Sequence, residues 1–180
     1  VPTLLPSVAF FLGIDYGPAR DMIAANLPVA LASDFNPGSS PGGSMPFVMS
    51  LACMKMGMLP EEALVASTLN GAWALRMSEQ VGSLEPGKAA DFIAIDLNRI
   101  EYAGALHDPV AAAMFAAPVN VDFNYVGGRP VVVNGELATK ELGPLIERHN
   151  QLAATLLVDV DHPDTQHVSD TDQIVRIPHE

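Results

Sequence analysis

The sequence predicts an α/β protein in which a parallel sheet is followed by an antiparallel β segment, and three observations carry that prediction. Two apolar runs of strand length, in residues 3–12 and 28–34, flank a helical pattern, which is the strand–helix–strand order that parallel strands require. Both runs are apolar continuously rather than alternately, as in strands buried on two faces. Further on, "VDFNYVGGRPVVVNGEL" sets strand-like pieces around Gly-Gly and Asn-Gly turns, the pattern of an antiparallel hairpin.

Residues 3–12 are short, apolar and partly β-branched or aromatic, and are read as a buried strand. In "YGPARDMIAANL", Pro18 suits a first helical turn, and Ala19, Met22, Ile23 and Leu27 recur at helical spacing. "PVALASD" is the second strand, ending at Asp34. After a Gly/Ser/Pro loop, "MPFVMSLACMKMG" reads as a helix apolar nearly all round. "LPEEALVASTLNGAWALRM" follows as another, with Pro60 in its first turn and Glu61 and Glu62 at the positive end of the helix dipole. Leu64, Val65, Leu69, Ala72 and Trp73 are expected on one face of it.

Methionines 45, 49, 54, 56 and 58 read as core filling, because no His or Cys pair joins them in metal-ligand spacing. At "GSLEPGKAADFIAID" two strand-like pieces flank the turn "EPGK", where Lys88 and Asp91 read as turn and strand-edge residues. "LGPLIERHNQLAATLL" is a final helix, and residues 159–180 read as a loose tail.

The chain has 180 residues, 49% hydrophobic and 17% charged, which is ample apolar material for a core. Its formal net charge of -12 argues against a nucleic-acid partner, since phosphate contacts come from clustered Lys and Arg. The single cysteine, Cys53, reads as a packed, inert thiol, which fits a reducing compartment. No apolar run approaches the ~20 residues of a membrane span and no charged segment precedes an apolar one, so a cytoplasmic protein without a membrane partner is expected. The chain opens on Val1 and an apolar run without a capping or turn signal, which reads as a start within a fold.

In "LASDFNPGSSPGG" a lone carboxylate, Asp34, stands where a buried strand gives way to a loop. At the C-terminal end of a parallel strand it is a candidate catalytic or metal-binding group. An N-cap or an Asx-turn is the alternative that its Asn-Pro-Gly-Ser surroundings leave open. Asn36, the backbone amides near Gly38 and the Ser39 hydroxyl form a set of donors suited to a carboxylate. None of the five histidines, His107, His149, His162, His167 and His179, stands at a strand end or in an HxH or HExxH arrangement. A complete metal site is therefore not expected from this chain alone. Ser39, Ser40, Ser44 and Cys53 have no His placed as a partner by any motif for nucleophilic catalysis.

"TLLPSVAFFL", "PARDMIAANLPVALASDFNPGSS", "SLACMKMGMLPEEALVASTLNGAWAL" and "GSLEPGKAADFIAID" resemble the C-terminal part of the imidazolonepropionases, within the amidohydrolase superfamily. The likeness covers roughly residues 3–96, and "SDFNPGSS" is its most specific piece. It implies the last strands and helices of a metal-dependent (β/α)₈ TIM barrel over residues 1–80 and a share of a composite β-sandwich over 81–140. A C-terminal helix at 141–158 and the tail complete the expected organisation.

The implied reaction is hydrolysis of the cyclic amide of 4-imidazolone-5-propanoate to N-formimidoyl-L-glutamate, in histidine degradation, with one divalent metal ion, zinc or iron, and a small-molecule substrate. Carried over by position, Asp34 matches the strand-eight aspartate that binds metal and handles the proton. Asn36, Gly38 and Ser39 match substrate contacts. A homo-oligomer is in keeping with the superfamily.

The match departs from the family in two places. The HxH pair and middle-strand histidine that complete the family's metal site have no counterpart and are expected before Val1, so the chain by itself is expected to be inactive and to expose sheet edges and apolar surface. Downstream, "LNRIEYAGALHDPVAAAMFAAPVNVDFNYVGGRPVVVNGEL" and "LIERHNQLA" are similar to deaminases of aromatic N-heterocycles such as 8-oxoguanine deaminase, and to triazine hydrolases. An aminohydrolase of such a heterocycle is thus the second reading, and a non-catalytic fragment the third.

Overall fold

The structure, a computed structural model, describes residues 1–116 and 120–158. Its opening element is a two-residue strand, β1 (Thr3–Leu4), and the rest of the apolar opening is helical, α1 (Pro6–Leu12). The strand expected over residues 3–12 is corrected accordingly. Pro6 presets a helical φ and needs no N–H in a first turn, while Gly13 closes the helix in the left-handed conformation at φ 65°. Ser7 and Ala9 of α1 are buried, whereas Phe10, Phe11 and Leu12 are exposed.

Helix α2 (Ala19–Ala24) is shorter than its pattern, with Pro18 just outside as the cap residue. Strand β2 (Ala30–Leu31) then pairs parallel with β1, Thr3 opposite Ala30 and Leu4 opposite Leu31. The ladder continues at both ends: the Ala30 amide donates to the Pro2 carbonyl at 2.8 Å and the Ala32 amide to the Leu4 carbonyl at 3.1 Å. The parallel strand–helix–strand unit expected from the sequence is present, with each strand shorter than its apolar run.

Helix α3 (Met45–Met56) is capped by Ser44, whose hydroxyl accepts from the Phe47 amide, and ends at Gly57 with φ 68°. The second long helix expected is two, α4 (Pro60–Ser67) and α5 (Leu69–Ala74), broken at Thr68. The Thr68 hydroxyl donates to the Leu64 carbonyl at 2.7 Å, a local bond that competes with the helical ladder. Of the five residues expected on one face, Ala72 is buried, together with Ala63 and Ala66, while Leu64, Val65, Leu69 and Trp73 are exposed, which corrects the expected apolar face.

The core joins α2, β2, α3, α4 and α6 (Pro109–Phe115) through Ala19, Leu31, Val48, Ala52, Met56, Met58, Ala63, Ala66 and Met114. Met45, Met49 and Cys53 pack against it, but Met54 is exposed and fills no core. Helix α6 starts as its sequence dictates, with Pro109 in the first turn and the Ala111 amide donating to Asp108 Oδ1 at 2.9 Å. It packs on α3 and α4.

An antiparallel sheet in the order β3 (Phe92–Ala94), β4 (Phe123–Val126), β5 (Arg129–Val133), β6 (Glu136–Leu137) follows the expected hairpins. Gly127-Gly128 and Asn134-Gly135 all have positive φ, as the two-residue turns between Val126 and Arg129 and between Val133 and Glu136 require. Phe92 stacks on its cross-strand partner Tyr125 with ring centroids 4.9 Å apart. Of the two strand pieces expected around "EPGK", only the second forms, as β3. The first is held as a turn by the Lys88 ammonium, which donates to Ser83 Oγ at 2.7 Å, and by the Ala89 amide, which donates to the Gln80 carbonyl at 2.8 Å.

Val1–Thr139 forms one compact unit, and helix α7 (Leu142–Val158), the expected final helix, lies in a second that begins at Lys140. The expected tail, 159–180, with His162, His167 and His179, lies outside the described residues. Among the described residues no helix is long and apolar enough to cross a membrane.

Candidate active site

Asp34 follows the C-terminal end of β2 by three residues and is exposed, with φ 48°. A non-glycine residue in this region is uncommon and costs on the order of 1 kcal/mol, which Asp tolerates better than most. Its carboxylate caps no backbone amide among the described residues. Its one partner among the described residues is the side-chain amide of Asn36, 3.4 Å from Oδ2.

Asn36 organises the loop. Its Nδ2 donates to the Asp34 carbonyl at 2.6 Å and to Ser39 Oγ at 3.0 Å, and its Oδ1 accepts from the Gly38 and Ser39 amides, both at 2.9 Å. The Asx-turn left open by the sequence is thus present, but it belongs to Asn36 and leaves the Asp34 carboxylate unengaged by the backbone. The donors read from the sequence as an anion cradle are here partnered with one another. A pair of backbone bonds, Asn36 amide to Ser40 carbonyl at 2.9 Å and Ser40 amide to Asn36 carbonyl at 3.2 Å, closes the loop at its base.

Beneath the loop lies a polar contact that sequence reasoning missed. Ser7 Oγ and Ser40 Oγ donate to the same acceptor, the Ser33 carbonyl, at 2.9 and 2.6 Å, and stand 3.1 Å from each other. Ser7 is 5% exposed and Ser40 1%, so these are interior bonds. Ser7 stands in a run that the sequence reads as a strand; Pro6 marks the helix start beside it, but no local signal points to a bond 26 residues away.

A cleft of about 880 Å³ opens beside the strand ends, lined by Thr3, Leu31, Ser33, Leu64, Ser83 and Phe92 among others. Ala32 and Ser33 line it and Asp34 comes next in the chain without lining it. Its wall is mostly apolar, which suits a small-molecule site. Lys88 and Asp91 are structural, as expected: Lys88 pairs with Glu85 at 3.4 Å, and Asp91 Oδ1 accepts from the Gly127 amide. The Ser83 hydroxyl, and after it the Lys88 ammonium, hold the Glu85 carboxyl below its ordinary range.

Cys53 is half-buried with Sγ 3.6 Å from Met114 Sδ. Burial, then the Glu61 and Glu62 carboxylates, push its thiol up. His107 is exposed just before α6. Among the described residues no three His, Cys, Asp or Glu side chains stand close enough to hold a metal ion. The donor set therefore fits one ligand position, the open Asp34 carboxylate, and does not fit a complete metal site.

Comparison with known proteins places this geometry in a family. The amidohydrolase family profile matches residues 6–137. The chain is 57% identical over 93 residues to the imidazolonepropionase of Flavobacterium johnsoniae and 56% identical over 93 residues to that of Geobacillus kaustophilus. Each match covers 52% of this chain and only 23% and 22% of the respective relative, so the matched stretch is about a quarter of these proteins' length.

Among solved structures, an adenosine deaminase from Xanthomonas campestris with bound zinc superposes with a TM-score of 0.78 at 24% identity, covering 87% of this chain and 37% of that one. An atrazine chlorohydrolase from Arthrobacter aurescens complexed with zinc gives 0.76 at 21% identity, covering 83% of this chain and 35% of that one. These likenesses show the fold, that of a partial amidohydrolase barrel with its flanking β segment. With its parallel strand ends, the open carboxylate after β2 and a profile match over most of its length, the chain belongs to the amidohydrolase family.

Proposed function

We propose that this chain carries the strand-end carboxylate and substrate loop of a metal-dependent enzyme that hydrolyses the cyclic amide of 4-imidazolone-5-propanoate to N-formimidoyl-L-glutamate. The observation that carries the reading is Asp34: a carboxylate at the end of a parallel strand, engaged by no described backbone amide, on a loop built by its own neighbours. The identity of 57% to an imidazolonepropionase over 93 residues supports the choice of substrate.

Asp34 takes a proton from the attacking water as its oxygen bonds to the ring carbonyl carbon. It returns that proton to the ring nitrogen as the C–N bond breaks. When bound, a divalent metal, zinc or iron, would polarise that carbonyl and lower the pKa of the water, and Asp34 is the ligand that this chain's described residues would supply. Asn36, Gly38 and Ser39 contact the substrate's carboxylate-bearing chain. Taking that carboxylate exchanges the two amide bonds to Asn36 Oδ1 for bonds to the substrate. Residues 1–80 supply the last strands and helices of the barrel and residues 81–140 a share of the composite sandwich, and a homo-oligomer is in keeping with the superfamily.

Aminohydrolysis of an aromatic N-heterocycle is the second reading, favoured by the likeness of residues 97–137 and 145–153 to such deaminases. The loop meets the substrate whereas the sheet does not, so the first reading takes precedence. A chimaera in which this chain replaces the matching segment of the Flavobacterium johnsoniae relative decides between them. Hydrolysis of imidazolone propionate is expected, with Asp34→Asn lowering kcat by at least about 10³-fold. Turnover of 8-oxoguanine in its place, or full activity of Asp34→Asn, overturns the reading.

A further inference from the structure

We infer that Ser7 and Ser40 are positioning residues that set the backbone of Asp34 from beneath. Both hydroxyls converge on the carbonyl of Ser33, the residue directly before Asp34, at 2.9 and 2.6 Å. They come from different parts of the chain: Ser7 from the first turn of α1, just after β1, and Ser40 from the far side of the loop after β2. A carbonyl has two lone pairs, and here both are taken by interior hydroxyls. That fixes the plane of the Ser33–Asp34 peptide, and with it the direction from which Asp34 must leave at φ 48°.

Among the described residues the neighbouring backbone gives Asp34 no other regular support. The β1–β2 ladder ends with the Ala32 amide, and the next backbone pairing is between Asn36 and Ser40. Over Ser33 and Asp34 the chain is held by the two serine hydroxyls on one side and by Asn36 Nδ2 on the Asp34 carbonyl on the other. A left-handed conformation at a non-glycine residue persists only when its surroundings over-determine it. The Ser7 bond also ties the end of β1 to the end of β2, so two strand ends that would otherwise move separately hold Asp34 as one body.

The geometric part of this inference stands by itself, and its catalytic consequence rests on the reading of Asp34 as the proton carrier. Two experiments separate them. In the chain as it stands, the left-handed conformation of Asp34 gives a strong intraresidue HN–Hα NOE. Ser7→Ala and Ser40→Ala are expected to abolish or average it while the amide spectrum of α3 and α6 stays dispersed. Ser7→Thr, which keeps the hydroxyl, and Ser50→Ala, which removes a hydroxyl bonded elsewhere, to the Pro46 carbonyl, are expected to retain it. Persistence of the NOE in the Ser7→Ala Ser40→Ala double variant overturns the inference. Should the double variant not fold, the same persistence in both single variants overturns it.

In the chimaera, Ser7→Ala and Ser40→Ala are expected to lower kcat by about 10²-fold with KM nearly unchanged, the signature of a misplaced group rather than lost binding. If Asp34→Asn is inactive and the serine variants keep kcat, positioning is refuted and the hydrolase reading survives. If Asp34→Asn is active, the hydrolase reading falls and the NOE alone decides the geometry.

Discussion

Asp122 is a charged residue that is only 8% exposed, and removing its carboxylate is the sharpest test of how the antiparallel sheet is tied together. Its Oδ2 accepts from the Asp96 amide at 2.6 Å, and its Oδ1 pairs with the Arg99 guanidinium. A hydrogen bond to a charged acceptor contributes about 1.5–3 kcal/mol. The Arg99 side chain is 34% exposed, so solvent screening holds that pair to about 0.5–1 kcal/mol. Asp122→Ala is therefore expected to cost about 2–4 kcal/mol, since it also leaves the Asp96 amide without its partner. Asp122→Asn keeps an acceptor for that amide and loses the charge, so about 1 kcal/mol is expected. The backbone bonds of Asp122, to the Ala94 carbonyl and from the Gly135 amide, both at 3.0 Å, survive either change. Urea unfolding followed by far-ultraviolet circular dichroism reads these differences as shifts in midpoint at constant m. Asp122→Ala within about 0.5 kcal/mol of the wild type refutes the reasoning, because that is the range of a surface change. Equal losses for Ala and Asn refute the division between hydrogen bond and charge.

Two further perturbations probe the helical part. Gly82 has φ 94°, and a Cβ there would lie 2.6 Å from Ala72 Cβ and 3.1 Å from the Thr68 carbonyl oxygen. Gly82→Ala is thus expected to destabilise by about 2 kcal/mol or more through strain and overpacking together, and a thermal melt unchanged from wild type contradicts this close approach. The Cys53 thiol is pushed up from 9.0 by burial first, so the folded state holds its proton more tightly than the unfolded chain does. That contribution is complete below pH 9.0 and is lost as pH rises through the raised folded value, so unfolding free energy falls on the alkaline side. Tyr102, also pushed up by burial, shares the alkaline limb. Cys53→Ala is therefore expected to flatten the limb without removing it, and an identical limb in the variant speaks against a buried thiol.

The parts of the fold legible in the sequence are those whose signals are local. The turns Gly127-Gly128 and Asn134-Gly135 need positive φ at both positions, and few residue pairs supply it, so the hairpins could be placed from four residues. The start of α6 is likewise written in Asp108-Pro109. Where periodicity is the one signal, the sequence does not determine the element. Residues 6–12 are apolar enough for a strand or a helix, and it is Pro6 and Gly13, not the hydrophobic pattern, that distinguish them. In the stretch from Pro60 to Ala74, helical spacing groups Leu64, Val65, Leu69, Ala72 and Trp73 on one face, and of these only Ala72 is buried. Close packing of α4 against α3 instead selects the small alanines, with Val48 and Ala52 on the facing helix also fully buried.

The site divides along the same line. Asp34 could be found because a charge following an apolar run is conspicuous, and Asn36 because Asn-Pro-Gly-Ser is turn chemistry with its partners two and three residues away. Ser7 could not, since its bond to Ser33 spans 26 residues and depends on β1 and β2 running side by side. Sequence patterns report what a residue does with its near neighbours, whereas the orientation inferred for the Asp34 carboxylate is set across strands. Carboxylate and loop are thus legible as chemistry, but the bond that would aim them follows only from the pairing of two strands two residues long. A slip of one residue in that pairing would exchange the faces of every side chain in β2 and move the Ser33 carbonyl away from Ser7. The catalytic geometry proposed for Asp34 therefore depends on strand register at least as much as on the loop that surrounds it.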